Sequence, residues 1–258
     1  MTAYQIDGTP GKPWLMFSNS LGTDLRMWQT QVDFLKNDFR ILRYDTRGHG
    51  GAGPRPSPAT LAGLGQDVLD LLDMLEIERV HFCGLSMGGM IAQWLGIHAP
   101  QRLEKLVIAN SAPRIGTPQG WRDRAAQVRA TGLDAVADGA AGRWFTPAFA
   151  EREPERVAAL VATLRGGSPE GYASCCDALA EADLRARISG ISTPTLLISG
   201  AADPVTTVDD AIAMRRQIGG SAMLTLDASH ISNVEAATAF NLALADFLGD
   251  IMRPATPT

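Results

Sequence analysis

The sequence predicts an α/β protein with a mostly parallel, doubly wound sheet, and three observations carry that prediction. Short apolar runs rich in β-formers recur along the chain, each bounded by Gly, Pro, Asn or Asp and nearly continuous in hydrophobicity, as strands covered on both faces should be. Helix-length segments with apolar residues at helical spacing alternate with them, the pattern of parallel strands joined by crossover helices. The 258 residues, 45% hydrophobic and 20% charged, suit one domain with a real core, or one domain carrying a smaller insertion.

In chain order, residues 14–17 and 41–44 read as strands, 61–75 as a helix, and 80–85 as a strand running directly into a helix over 87–98. Residues 106–109 form the next strand. The rhythm then breaks. From about 112 to 189 there is no convincing strand, only Ala/Arg-rich helical stretches punctuated by Gly116, Pro118, Gly132, Pro147, Gly166, Gly167 and Pro169. A strand at 195–199, a helix at 208–218, a strand at 223–226 and a helix at 234–248 complete the chain. The expected organisation is a core of residues 1–111 and 190–258, with a helical lid of residues 112–189 inserted between two strands. Such a block would cover the carboxyl edge of the sheet, where ligands bind in open α/β folds. Pro54, Pro56 and Pro58 mark a stiff loop, and residues 253–258 a frayed tail.

Composition narrows the function classes. A formal charge of −5 and a pI near 5.4 argue against a nucleic-acid partner, which calls for a basic face. Cys83, Cys175 and Cys176 show neither CxxC pairs nor Cys/His spacing, so neither a disulfide framework nor a metal site is expected. The N-terminal stretch lacks a basic region followed by an apolar run, and residues 80–97 contain His81, Ser86, Gln93 and four glycines. They read as strand, turn and helix, not as a membrane span. A cytoplasmic location without membrane association is the expectation; the oligomeric state is left open.

The strongest chemical signal is Gly84-Leu85-Ser86-Met87-Gly88, followed by Gly89. A serine between a buried strand and a helix, with glycines two positions either side, fits a nucleophile elbow. Neither GxGxxG nor a GK[ST] ending is present, so a phosphate cradle is disfavoured. A serine hydroxyl needs a base, and four histidines are available. His49 lies in a Gly-rich loop, His81 opens the strand before the elbow, and His98 ends the helix after it. His230, after the last strand, alone fits the chain order Ser, acid, His. Asp203, after strand 195–199, is the expected carboxylate that fixes the imidazole; Asp45 is its rival but precedes Ser86. The second oxyanion donor belongs in the loop after an early strand, Ser18-Asn19-Ser20-Leu21-Gly22, which nominates the backbone N–H groups of Leu21 and Met87.

With these residues in place the chain resembles the α/β-hydrolase family over nearly its whole length, and more narrowly the 3-oxoadipate enol-lactonases of aromatic-compound degradation. The stretches that carry the resemblance are Ser18-Asn19-Ser20-Leu21-Gly22-Thr23-Asp24, Tyr44-Asp45-Thr46-Arg47-Gly48-His49-Gly50, the elbow through Gln93, Arg143-Trp144-Phe145-Thr146-Pro147, and Asp227 through Glu235. The elbow is common to the superfamily; Asn19-Ser20 and the Arg-Trp-Phe motif are narrower. Only thirteen residues precede Trp14, too few for the usual opening hairpin in full. The resemblance implies hydrolysis of a carboxylated enol lactone without metal or organic cofactor. Ser20, Arg143 and Trp144 are then the expected substrate contacts. Arg143 reads equally well as a solvated lid arginine beside a core tryptophan. Another carboxylic-ester or carbon–carbon bond hydrolase of the same fold is the alternative, and a non-catalytic ligand receptor a more distant one.

Overall fold

The computed structural model describes residues 3–53 and 59–249. The proline loop at 54–58 and the tail from 250 onward, including residues 253–258, lie outside the described residues. The sheet strands are β1 (Tyr4–Gly8), β2 (Trp14–Ser18), β3 (Arg40–Tyr44), β4 (Val80–Leu85), β5 (Leu103–Ala109), β6 (Thr195–Gly200) and β7 (Ala222–Leu226). They form one seven-stranded sheet in the order β1-β3-β2-β4-β5-β6-β7, parallel except for β1. β4 is buried at every position, which is why its sequence shows no polar alternation.

The helices are α1 (Gln29–Leu35), α2 (Leu61–Met74), α3 (Met87–His98), α4 (Pro118–Thr131), α5 (Asp134–Asp138), α6 (Ala140–Trp144), α7 (Pro147–Arg152), α8 (Pro154–Arg165), α9 (Pro169–Glu181), α10 (Val208–Gln217), α11 (Ser232–Glu235) and α12 (Ala237–Leu248). The strand order dictates their sides. From β2 to β3 the chain steps one way along the sheet; from β3 onward every step runs the other way. Right-handed crossovers therefore put α1 on one face and α2, α3 and α10 on the other. α12 returns to pack on α1, so both faces are covered.

Between β5 and β6 the structure has six helices, α4 to α9, and no strand. Their starts are legible locally. α4, α7 and α9 open on Thr117-Pro118, Thr146-Pro147 and Ser168-Pro169, and each hydroxyl accepts the N–H three residues on, from Gly120, Phe149 and Gly171. α4 and α9 pack along each other, tied by Arg122–Glu181, Arg129–Glu170 and Arg129–Asp177 ion pairs.

Two elements differ from the sequence reading. Tyr4–Gly8 forms an edge strand paired antiparallel with β3; its mixed sequence, YQIDG, carries too little β signal to stand out. The single helix expected over 234–248 is two, broken at Ala236 (φ −109°, ψ 43°). Glu235 sits at that break and spends its carboxylate on groups outside both helices.

Candidate active site

Five strand ends converge at the carboxyl edge of the sheet. β2 delivers Ser18 to Gly22, β4 delivers Ser86, β5 delivers Asn110 and Ser111, and the loops after β6 and β7 deliver Asp203 and His230. Ser86 adopts φ 60°, ψ −115°, outside the regions ordinary residues favour. The flanking glycines make that turn possible. A Cβ on Gly84 would lie 2.0 Å from the Gly88 carbonyl oxygen, and one on Gly88 would lie 2.2 Å from the Ser18 carbonyl oxygen. No side chain fits either place.

Ser86, His230 and Asp203, far apart in sequence, form one hydrogen-bonded chain. His230 Nε2 is 2.8 Å from Ser86 Oγ, and its Nδ1 is 2.8 Å from Asp203 Oδ2. All three are buried. The Asn110 side-chain amide and the Thr206 hydroxyl donate to the same Asp203 oxygen at 3.0 and 2.8 Å, and the Val205 and Thr206 N–H groups donate to the other at 2.8 and 3.1 Å. Burial opposes ionisation of Asp203, but the hydrogen bond and charge of His230, with the Asn110 and Val205 donors, hold its carboxyl below the ordinary range. The site therefore holds a fixed anion behind an imidazole, an arrangement that can draw a proton from a serine hydroxyl.

The loop after β2 is buried. Ser20 accepts from the Thr23 N–H and hydroxyl, Asn19 donates to the Tyr44 carbonyl, and its amide oxygen accepts from the Trp28 indole. Gly88 N–H donates to the Asn19 carbonyl at 3.1 Å and locks this loop to the start of α3. Among the described residues the Leu21 and Met87 N–H groups have no hydrogen-bond partner. Ser20, Leu21, Ser86, Arg143, Trp144 and His230 all line one cavity of about 50 Å³. The structure thus brings all three expected substrate contacts to Ser86. Trp144 is buried, and its carbonyl accepts the Ile231 N–H at 3.0 Å. Arg143 is half-buried, donates to the Val136 carbonyl at 2.7 Å, and has no carboxylate partner among the described residues.

Sequence reasoning missed the supporting groups. Asn110, at φ 43°, holds Asp203 and the Ser229 carbonyl and accepts from the Ser232 hydroxyl. Ser111 donates to the Ser86 carbonyl at 2.8 Å. Glu235 accepts from the Ser229 N–H beside His230 and from the Thr146 hydroxyl and N–H beside Trp144. An Asn-Ser pair at a strand end, and an acid five residues after a histidine, were the available signals, and neither is specific. Arg124, which lines the same cavity, was also missed. The other histidines lie elsewhere: His49 in the buried loop after β3, His81 in β4, and His98 stacked on Trp94 at the exposed end of α3.

Residues 13–237 match the family described as the alpha/beta hydrolase fold. The chain belongs to that family. This hydrolase-fold chain is 50% identical over 241 residues to 3-oxoadipate enol-lactonase 2 of Acinetobacter baylyi, covering 93% of this chain and 90% of the relative. It is 44% identical over 247 residues to 3-oxoadipate enol-lactonase 1 of the same organism, covering 96% and 92%. Among solved structures, an enol-lactonase from Burkholderia xenovorans superimposes with a TM-score of 0.94 at 45% identity, covering 96% of each chain. Among the described residues, no helix is long and apolar enough to cross a membrane.

Proposed function

We propose that the protein is a serine hydrolase that opens the enol lactone of 3-oxoadipate, a small anionic lactone, to the open-chain acid. The observation that carries this reading is the Ser86–His230–Asp203 chain, with both links at 2.8 Å, in a protein 50% identical to an enol-lactonase. Ser86 Oγ attacks the ring carbonyl carbon while its proton passes to His230 Nε2. The tetrahedral oxyanion takes hydrogen bonds from the Leu21 and Met87 N–H groups; losing one such donor typically costs about 10²–10³ in rate.

Collapse breaks the ring C–O bond. The departing enol oxygen remains tethered to the acyl chain and takes the proton from His230, and tautomerisation to the ketone removes its power to attack back. A water molecule then gives a proton to His230 and attacks the acyl carbon. Ser86 leaves with that proton, and the second carboxylate is released. Asp203 stays ionised throughout and offsets the imidazolium charge.

The helices of residues 112–189 act in this reading as a lid that closes the cavity from above, with Trp144 packing the lactone ring and Arg143 facing the side-chain carboxylate. The buried free thiols of Cys83, Cys175 and Cys176 are compatible with a reducing, cytoplasmic setting. The test is a rate comparison between the enol lactone, the same lactone without its carboxylate, and a simple aryl ester. A marked preference for the charged lactone is expected; an equal or reversed ranking would return the protein to general esterase chemistry.

A further inference from the structure

α4 carries arginines at 122, 124 and 129. Arg122 and Arg129, seven residues apart and so on one helical face, pair with acids of α9. Arg124, about 200° away from Arg122 around the helix, turns to the opposite side and has no carboxylate partner among the described residues. It lies over the Trp121 ring, 5.1 Å from its centroid, and beside the Tyr172 hydroxyl.

Arg124 also lines two spaces at once. One is the cavity over Ser86; the other is an outer cleft of about 300 Å³ that includes Thr117 and Pro204. The residues common to both are Ile115, Trp121, Arg124, Arg143 and Val205, so they form the neck between inside and outside. Two guanidinium groups thus meet at the neck without an acid between them. They repel: burial, then the nearby Arg124 charge, holds Arg143 below the usual guanidinium range. Two uncompensated cations in partly buried surroundings are unfavourable unless an anion joins them.

We propose that Arg124 is a specificity-determining residue, which with Arg143 forms a two-arginine clamp for the substrate carboxylate at this neck, and that the outer cleft is the way in for the anion. The inference rests on the reading of the substrate as a carboxylated lactone. In a protein of formal charge −5, a local pair of cations supplies the attraction that the molecule as a whole does not. Planar guanidinium groups bind a carboxylate through paired N–H donors, which selects for charge and for position together.

The experiment compares wild type with Arg124→Met and Arg124→Lys in two assays. In the first, kcat/KM is measured for the carboxylated enol lactone and for the methyl ester of its side-chain carboxylate. Arg124→Met lowers the acid-to-ester ratio of kcat/KM by at least about tenfold, mainly through KM, as expected for a lost charge-assisted hydrogen bond. Arg124→Lys recovers part of the ratio. Raising ionic strength lowers kcat/KM for the acid in wild type and much less in Arg124→Met.

In the second assay, adipate inhibits hydrolysis of an aryl acetate, and its Ki rises by at least about tenfold in Arg124→Met. The melting temperature of that variant stays within a few degrees of wild type, since relief of the Arg143 repulsion offsets loss of the Trp121 and Tyr172 contacts, so changes in the ratio and in Ki are read from a folded protein. Equal losses on acid and ester, or an unmoved adipate Ki, would overturn the clamp. If wild type shows no preference for the lactone acid yet adipate inhibition still depends on Arg124, the clamp stands and the lactone reading falls.

Discussion

The two walls of the active-site cavity are built on opposite principles. The floor, at the sheet edge, pairs its polar atoms: each Asp203 oxygen has two or more donors, Asn110 uses both ends of its amide, and His230 uses both ring nitrogens. The roof, from α4 and α6, leaves Arg124 and Arg143 without a carboxylate among the described residues. A floor in that state fixes geometry, because any displacement leaves a buried group unpaired. A roof with open charges leaves affinity for something that is not part of the chain. In the proposed reading, chemistry falls to the sheet edge and selectivity to the helical block that touches it.

The largest expected effect lies in the floor. Ser86→Ala should lower kcat by roughly 10⁶, the scale seen when a triad nucleophile is removed, while adipate still binds, since the roof is untouched. Burst kinetics with an aryl ester and an inhibition assay check this; substantial residual turnover would mean that another group attacks. Ser86→Gly should be equally inactive yet more stable in thermal melts, because φ 60°, ψ −115° is strained for serine and open to glycine.

Next comes Asn110→Gly, which keeps the backbone freedom that φ 43° requires and removes the amide between Asp203 and the Ser229 carbonyl. Stability should fall by about 1–3 kcal/mol. kcat should fall by at least about tenfold, with KM for the lactone little changed. A loss confined to stability would show that Asp203 is held without it.

Glu235→Ala probes the seam between floor and roof, since its carboxylate accepts from Ser229 next to His230 and from Thr146 in the segment after Trp144. Three donors lose their acceptor, so chemical denaturation should show a loss of about 2 kcal/mol. If the two walls are coupled, kcat and KM move together by a few-fold; if they are independent, only stability moves.

The smallest effect concerns His49, whose Nε2 has no hydrogen-bond partner among the described residues. Burial holds its imidazole below the ordinary value of 6.5. The unfolded chain therefore binds a proton that the folded chain refuses, and stability declines as pH falls below that value. Melting temperatures from pH 8 to 5 should fall less steeply in His49→Leu than in wild type; parallel curves would exclude His49 as the source.

The hydrogen-bonded chain of Ser86, His230 and Asp203 was legible from sequence because its constraints are local or ordinal. A serine flanked by glycines between strand and helix needs that backbone, and chain order left His230 and Asp203 in the right loops. The inner strands were readable for a similar reason: β2, β3, β4 and β6 are covered on both faces, so their hydrophobicity is continuous. β1 was not readable, because an edge strand tolerates polar residues such as Gln5 and Asp7. The break at Ala236 was hidden because apolar spacing continues across it, while Glu235, beside the break, spends its carboxylate on Ser229 six residues back and on Thr146 in the distant helical insertion.

What the sequence determined by itself, then, was the parallel strands of the sheet, the position of the helical insertion and which three side chains, Ser86, His230 and Asp203, meet in one hydrogen-bonded chain. Each follows from hydrophobic period, backbone preference and order along one chain. What only the tertiary structure decided was company: that Asn110 meets Asp203, that Glu235 ties the His230 loop to Thr146, and that Arg124 and Arg143 line the same neck of the cavity. Those are relations between segments with no shared period. Charge and hydrogen bonding act through a few ångströms of space, and distance along the chain says little about which groups will share it.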